Sequence, residues 1–381
     1  MNDVFIVEAK RTPVGRIGGI LKDIPPEQLA AELMKSMIEG VEIPADQVDE
    51  VILGNVVGPG GNLARLSSLI AGFPVEVPGV TVDRQCGSGL EAIHIGARTI
   101  QSGGADLIIA GGVESTSLAP WKMEKPSSLH ALSGPKLFSR ARFSPDNIGD
   151  PEMGVAAENV AEAYQISRVD QDRFALKSHQ KAIESQKSGR FDAEIVPIQG
   201  IDQDECPREN TSLEKLNRLN PAFVEGGTVT AGNACPINDG ASVVLLASRK
   251  KCLEFGLKPQ IRFVDACSAG VDPNLLGIGP IPAVRKLLEK QQLRIKDIDL
   301  VEFNEAFASQ VLASIRSLAI PEEKLNIGGG AIALGHPYGA SGAILMTRLF
   351  HEMKHSQANT GLVTLGIGGG LGLATLLERQ L

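Results

Sequence analysis

The chain has 381 residues, 43% of them hydrophobic and 22% charged, a balance that supports a folded protein and excludes a disordered one. Its formal net charge of −8 and pI of about 5.4 argue against nucleic acid as a partner. No apolar run approaches the ~20 residues of a membrane span. No leader peptide precedes the first strand pattern, and five scattered cysteines without metal-ligand spacing predict reduced thiols in a cytoplasm and no metal.

Residues 4–7 read as a strand, followed by Lys10-Arg11-Thr12-Pro13-Val14-Gly15-Arg16. That segment lacks the early Gly-x-Gly-x-x-Gly turn of a dinucleotide site, so nicotinamide binding is set aside. Residues 50–53 give a second strand. Residues 80–82 are extended and enter the turn Gln85-Cys86-Gly87-Ser88-Gly89. Leu90, Ile93, Ala97 and Ile100 then recur at helical spacing on one face. Cys86 therefore stands near a helix N-terminus, where free N–H groups and the dipole are expected to lower its pKa. A lone cysteine is more often a buried structural thiol; the turn position argues for a nucleophile. Residues 106–110 form a buried strand ending at Gly111-Gly112.

Residues 117–150 carry five Lys or Arg, six Ser, and Pro120, Pro126, Pro135 and Pro145, the composition of a loop. Helices are predicted at 153–164 and 168–188. An excursion this long usually serves binding, and its basic side chains suit an anionic ligand.

The second half repeats the pattern. Residues 299–303 are a strand ending at Asn304-Glu305, residues 325–327 lead toward the loop Gly335-His336-Pro337, a helix covers 343–350, and a buried strand at 362–365 ends near Gly368-Gly369-Gly370. Singly, His336 reads as a loop histidine, Asn304 as an N-cap and Glu305 as a first-turn acid. Together, a Cys and a distant His on similar Gly-rich turns suggest a thiolate–imidazole pair. Strands alternating with helices in two similar halves predict an α/β fold with a pseudo-twofold axis and Cys86 facing His336 across it.

The ordered set resembles the thiolase family. Cys86-Gly87-Ser88-Gly89 matches its nucleophile turn, Asn304-Glu305-Ala306-Phe307 its Asn motif, and Gly335-His336-Pro337-Tyr338-Gly339-Ala340-Ser341-Gly342 its histidine motif. Thr228-Val229-Thr230-Ala231-Gly232-Asn233-Ala234, followed by Asn238-Asp239-Gly240-Ala241, resembles its coenzyme A loop. The resemblance covers nearly the whole chain. It implies a five-layered αβαβα fold from two similar halves, each with its own sheet, and an inserted loop domain. The expected division is 1–116 plus 233–250 for the first half, 117–232 for the insertion that binds CoA, and 251–381 for the second half.

The resemblance implies an acyl-CoA C-acyltransferase, a homodimer or homotetramer with CoA as substrate or product and no tightly bound cofactor. His336 would accept the proton of Cys86, and the sulfur would attack a thioester or a 3-ketoacyl-CoA. The N–H groups of Cys86 and Gly368 would hold one oxyanion, and Asn304, through a water, with His336 would hold the oxygen of the second substrate. Arg208 matches the arginine beside the CoA adenine; Ala231, Cys235 and Phe307 fall beside the pantetheine arm. Cys235 stands where the family usually has Ser, and Glu152 where biosynthetic members have His. One departure is larger. Gly366 in Thr364-Leu365-Gly366-Ile367-Gly368 occupies the place of the family's second catalytic cysteine. Loss of a positioned acid–base costs ~10²–10⁴-fold, so the carbon–carbon step is expected to be impaired, and Gly366→Cys is expected to restore it by ~10²-fold or more unless a φ > 0 at Gly366 resists a side chain. The alternatives are an acyl-CoA-binding or assembly protein on the same fold, and a ketoacyl synthase-like condensing enzyme, which normally pairs its Cys with differently placed His residues and lacks the insertion.

Overall fold

A computed structural model describes residues 2–126, 128, 134–138 and 140–380. Part of the expected loop at 117–150 therefore lies outside the described residues. The first half contains β1 (Val4–Arg11), α1 (Pro26–Val41), β2 (Glu50–Gly54), α2 (Leu63–Ile70), β3 (Gly79–Val82), α3 (Ser88–Ser102) and β4 (Leu107–Ser115). After an excursion carrying α4 (Met153–Ala163) and α5 (Arg168–Lys187), the chain returns as β5 (Asn238–Ser248). The second half contains β6 (Ile261–Gly270), α6 (Pro280–Lys290), β7 (Leu300–Phe303), α7 (Ala308–Leu318), α8 (Tyr338–Ser356), β8 (Thr360–Ile367) and β9 (Leu371–Arg379).

The repeat is visible in the strand order. The first half runs β1-β5-β4-β2-β3, and the second runs β6-β9-β8-β7. The counterpart of β3 is reduced to one bridge, Val301 to Leu325. Residues 325–327 lead toward the His336 loop without forming a strand, and Asn326 adopts φ 41. Its side chain replaces the ladder instead: Oδ1 accepts from Phe303 N at 2.7 Å, and Nδ2 donates to Phe303 O at 2.9 Å. The two halves do not form separate sheets as expected. Val4, Phe5 and Ile6 of β1 pair antiparallel with Phe263, Arg262 and Ile261 of β6, joining them into one ten-stranded sheet among the described residues. Asn238 to Ala241 open β5 and do not form a loop.

Three apolar cores sort the helices into layers. α1 and α2 cover the outer face of the first half, and α6 and α7 that of the second. α3 and α8 lie between the halves. Leu90, Ile93, Ala97 and Ile100 are fully buried there, against Ala343, Met346, Leu349 and Phe350 of α8. Each buried Leu, Ile, Met or Phe adds about 1.5–3 kcal/mol relative to exposure. The layers are thus helix, strand, helix, strand, helix.

The N-terminal turns of α3 and α8 touch backbone to backbone. A Cβ on Gly89 would stand 2.6 Å from the Gly339 carbonyl oxygen, one on Gly342 2.6 Å from Leu90 N, and one on Gly112 1.9 Å from Gly339 O. Only glycine permits such approach.

The excursion is fastened by buried charge. Arg11 of β1 grips Asp204 with two bonds of 2.7 and 2.9 Å and Glu194 with one of 2.8 Å. Arg348 of α8 donates to Glu194 at 3.0 Å and to Glu352 at 2.9 Å, and Glu352 also accepts from Arg190 at 2.7 Å. The Phe191 ring lies under both guanidinium groups, 5.2 Å from Arg11 and 4.4 Å from Arg348. Removing one partner of such a network typically costs about 3–5 kcal/mol, because a buried charge is left alone.

The glycine contact predicts that Gly112→Ala destabilises the fold by about 1–3 kcal/mol or more through overpacking. Gly40→Ala, where a Cβ meets nothing within 4 Å, should be neutral or stabilising by up to ~1 kcal/mol. Urea unfolding of both variants checks the pair.

Candidate active site

Cys86 sits on a tight, strained turn. Gln85 adopts φ 48, a left-handed conformation that costs an L-residue about 1–2 kcal/mol. Hydrogen bonds within the turn hold it there. Asp83 Oδ1 accepts Gln85 N at 2.7 Å; Ser88 Oγ accepts Arg84 N at 2.8 Å and donates to Gln85 O at 2.6 Å. The half-buried thiol lines a cavity of about 590 Å³ with Gly368, Tyr338, Phe143 and Trp121.

The thiol is not the low-pKa group expected from its helix. Burial pushes it up to about 11. The backbone N–H groups of Gly368 and of Cys86 itself hydrogen-bond the sulfur and pull the other way, while Glu114 and Asp83 add a smaller upward push. A first-turn dipole is worth only ~0.3–1 kcal/mol, and desolvation wins. At neutral pH Cys86 is a thiol.

His336 is buried, and desolvation lowers it to about 4, so it is a neutral imidazole at pH 7. Its tautomer follows from its partners. Ser341 Oγ donates its one hydrogen to Pro337 O at 2.9 Å and lies 2.6 Å from His336 Nδ1. Nδ1 must therefore carry the ring hydrogen and donate to Ser341. Nε2 is left as an acceptor, and Asn304 Nδ2 donates to it over a long 3.5 Å. His336 N donates to Asn238 Oδ1 at 2.8 Å. Gly335, at φ 110, lets the loop pass this amide: a Cβ there would stand 2.6 Å from Asn238. Tyr338 packs edge-on against the imidazole at 5.2 Å.

Asn304 follows β7 directly, with its N donating to Thr364 O at 3.1 Å. Glu305 is not a solvated first-turn acid. Oε1 accepts from Asn326 Nδ2 at 2.8 Å, and Oε2 from Ser178 Oγ at 2.6 Å and Ile332 N at 3.2 Å. Burial raises its pKa. Gly366 lies in β8 opposite Gly372. Its φ is not in the left-handed region, so backbone conformation does not resist a side chain there. The obstacle to a side chain is steric: a Cβ would stand 2.9 Å from the Gly277 carbonyl oxygen.

The remaining residues fall in two places. Cys235 N donates to Ala306 O at 2.9 Å, and Ala234 bridges Phe307, whose ring meets Phe223 at 6.1 Å. Burial makes Cys235 resist ionisation, and the nearby Cys86 adds to that resistance. Ala231 is exposed nearby in the sequence. Arg208 is exposed and lines a different cavity of about 500 Å³ with His179 and Lys187 of α5. Of the loop's five basic residues, the two arginines are paired. Arg140 pairs with Asp150 at 3.0 Å and with Glu152 at 3.3 Å, and Arg142 with Asp146 at 2.6 Å. Ser341, Asn238 and Glu114 escaped the sequence reading as site residues. Glu114 accepts N–H bonds from Val56, Val57 and Gly339 at 3.0–3.1 Å, tying the loop after β2 to the start of α8. The signal for all three was a polar residue inside an otherwise small or apolar motif. Among the described residues, no cluster of three or more His, Cys, Asp or Glu could hold a metal, and no helix is long and apolar enough to cross a membrane.

Two matched α/β halves make up this fold, with Cys86 ahead of α3 in one and His336 ahead of α8 in the other. Residues 4–250 match the thiolase N-terminal domain and 257–379 the thiolase C-terminal domain, so the chain belongs to the thiolase family. A Staphylococcus haemolyticus (strain JCSC1435) relative named "Putative acetyl-CoA C-acetyltransferase VraB" is 48% identical over 383 residues, covering 100% of this chain and 99% of the relative. The Staphylococcus aureus (strain MW2) protein of the same name is 46% identical over the full length of both. The crystal structure of the Bacillus anthracis acetyl-CoA acetyltransferase superposes with a TM-score of 0.94 at 40% identity, covering 100% of this chain and 99% of that one.

The neutral Cys86–His336 pair predicts how the thiol reacts with a small alkylating agent. The thiolate fraction should rise about tenfold per pH unit up to the thiol's pKa near 11. Iodoacetamide labelling of Cys86, followed by peptide mass, should rise with pH from 7 to 10 without a plateau.

Proposed function

We propose that this chain is an acyl-CoA C-acyltransferase that works through an acyl-Cys86 intermediate. The observation that carries the reading is that Cys86 and Gly368 line one cavity of about 590 Å³ together with Tyr338. Two residues before Tyr338, His336 presents Nε2 as an acceptor, with Nδ1 bonded to Ser341. The names of the relatives favour acetyl-CoA as a substrate.

In the first step Cys86 gives its proton to His336 Nε2 as the sulfur attacks the thioester carbonyl. A free thiolate need not exist beforehand, which suits a thiol whose pKa lies near 11. The oxyanion forms where the N–H groups of Cys86 and Gly368 already point. Collapse expels the CoA thiolate and leaves the acyl group on Cys86. Residues 117–232 serve as the CoA-binding insertion, between a first half of 1–116 plus 233–250 and a second half of 251–381. Arg208 receives the adenine end, and Ala231, Cys235 and Phe307 flank the pantetheine arm. No resident cofactor or metal enters any step. The enzyme acts as a homodimer or homotetramer in a cytoplasm, where its five unpaired cysteines stay reduced.

Carbon–carbon chemistry between two acetyl units needs a second acid–base, and Gly366 offers none. That step should be slower than in relatives with a thiol there by ~10²–10⁴-fold.

Intact-protein mass after mixing with acetyl-CoA should show one acetyl group on Cys86, absent in Cys86→Ser. Equal labelling at Cys206 or Cys252 would overturn the assignment. Gly366→Cys should raise acetoacetyl-CoA formation by less than ~10²-fold, because the Gly277 carbonyl must first retreat from a Cβ 2.9 Å away. A steady-state condensation assay of both forms measures it.

A further inference from the structure

A carbon–carbon bond to acyl-Cys86 requires a carbanion on the α-carbon of a second thioester. General chemistry offers two sources: loss of a proton to a base, or loss of carbon dioxide. The site is poor in bases. Gly366 has no side chain, and its Cβ direction is closed by the Gly277 carbonyl at 2.9 Å. His336 holds the Cys86 proton after the first step. Among the described residues, the other ionisable groups on the cavity wall are Asp83, Lys122, Arg140 and Tyr338. Asp83 is exposed, and its Oδ1 is taken by Gln85 N at 2.7 Å. Arg140 is paired with Asp150, and Tyr338 is pushed up by burial. Behind the wall, Cys235 resists ionisation. Glu305 and Glu114 have both oxygens occupied by donors.

The second source needs no base. It needs N–H donors for the enolate oxygen and a cation to seat a carboxylate. The donors are present: Asn304 Nδ2 and His336 Nε2, once protonated, lie 3.5 Å apart and are both buried. The cation is present too. Lys122 is half-buried on the wall of the Cys86 cavity and makes no ion pair with a described residue.

We propose that the second substrate of this enzyme is a malonyl-type thioester, carrying a carboxylate on its α-carbon, and that it condenses with acyl-Cys86 by decarboxylation. The proposal rests on the acyl-Cys86 reading. Lys122 seats the carboxylate. The bond between carboxyl and α-carbon breaks, its electron pair passes to the α-carbon, and carbon dioxide departs. Asn304 and the His336 imidazolium hold the enolate oxygen. The α-carbon attacks the acyl carbonyl, the carbon–sulfur bond breaks, and Cys86 leaves as a thiolate. That thiolate takes back the proton from His336 Nε2. The CoA thiolate released earlier takes one proton from solvent, so the cycle consumes one proton and needs no oxidant or reductant.

The test uses the full chain, acetyl-CoA, and malonyl-CoA labelled in its free carboxyl carbon. Acetylation of Cys86 is read by intact mass, then carbon dioxide release and acetoacetyl-CoA are measured. Expected is product from malonyl-CoA at least ~10²-fold faster than from acetyl-CoA alone, with one carbon dioxide per product and loss of both in Cys86→Ala. Lys122→Ala should raise KM for malonyl-CoA more than for acetyl-CoA; an equal effect on both would overturn the role given to Lys122. An acetylated enzyme that releases no carbon dioxide, or that condenses acetyl-CoA alone as fast, overturns the proposal and leaves acyl transfer standing. Failure of Cys86 to acetylate overturns both.

Discussion

Everything at the site depends on one backbone contact, the meeting of the first turns of α3 and α8 through Gly89, Gly112, Gly339 and Gly342. Cys86 precedes one of these helices and His336 the other. Each is carried by its own half, and each half is internally rigid through its strands. The distance between Cys86 and His336 is therefore set by how closely two helix N-termini can approach. Side chains at those glycines would hold the halves apart, and the two turns would no longer share a cavity. Glu114 supports the same contact from below by binding Gly339 N and the loop after β2 together.

The excursion that covers the site is anchored away from it. Arg11, Arg348, Glu194, Asp204 and Glu352 join β1, α8 and the segment after α5 in one buried charged cluster. Arg348 and Glu352 of the cluster belong to α8, which begins two residues after His336, so the helix behind His336 also carries the insertion. The site itself shows the opposite electrostatic choice. Burial dominates there, holding Cys86 as a thiol and His336 as a neutral imidazole. In the proposed reaction such a pair carries little charge at rest and develops it only as a substrate carbonyl polarises.

Much of this was legible in the residues. The apolar face of α3, the matched halves and the three Gly-rich motifs follow from periodicity and turn chemistry, because backbone constraints leave a local mark. What was not legible involves long range. The ladder between β1 and β6 joins residues far apart in the chain and carries no local signal. The bonds by which the Asn326 side chain holds Phe303 N and O span 23 residues and leave no local pattern either. The pKa of Cys86 followed burial and not helix position, and burial is a property of the packed halves. The tautomer of His336 depends on Ser341, visible in its motif, yet its role appears only once Pro337 O claims the hydroxyl hydrogen. Gly366 was read as a missing thiol; that its space is already filled by Gly277 could come only from the fold.

The central claim is that Cys86 and His336 rest as a neutral pair, with Nδ1 protonated and Nε2 free. The most direct measurement is the imidazole nitrogen spectrum of His336 in ¹⁵N-labelled protein at pH 7, compared with Cys86→Ala and Ser341→Ala. The account predicts a neutral ring with hydrogen on Nδ1 in the unmodified chain and in Cys86→Ala, and a loss of that fixed tautomer in Ser341→Ala. An imidazolium signal in the unmodified chain that collapses to neutral in Cys86→Ala would reveal a preformed thiolate–imidazolium pair and contradict it.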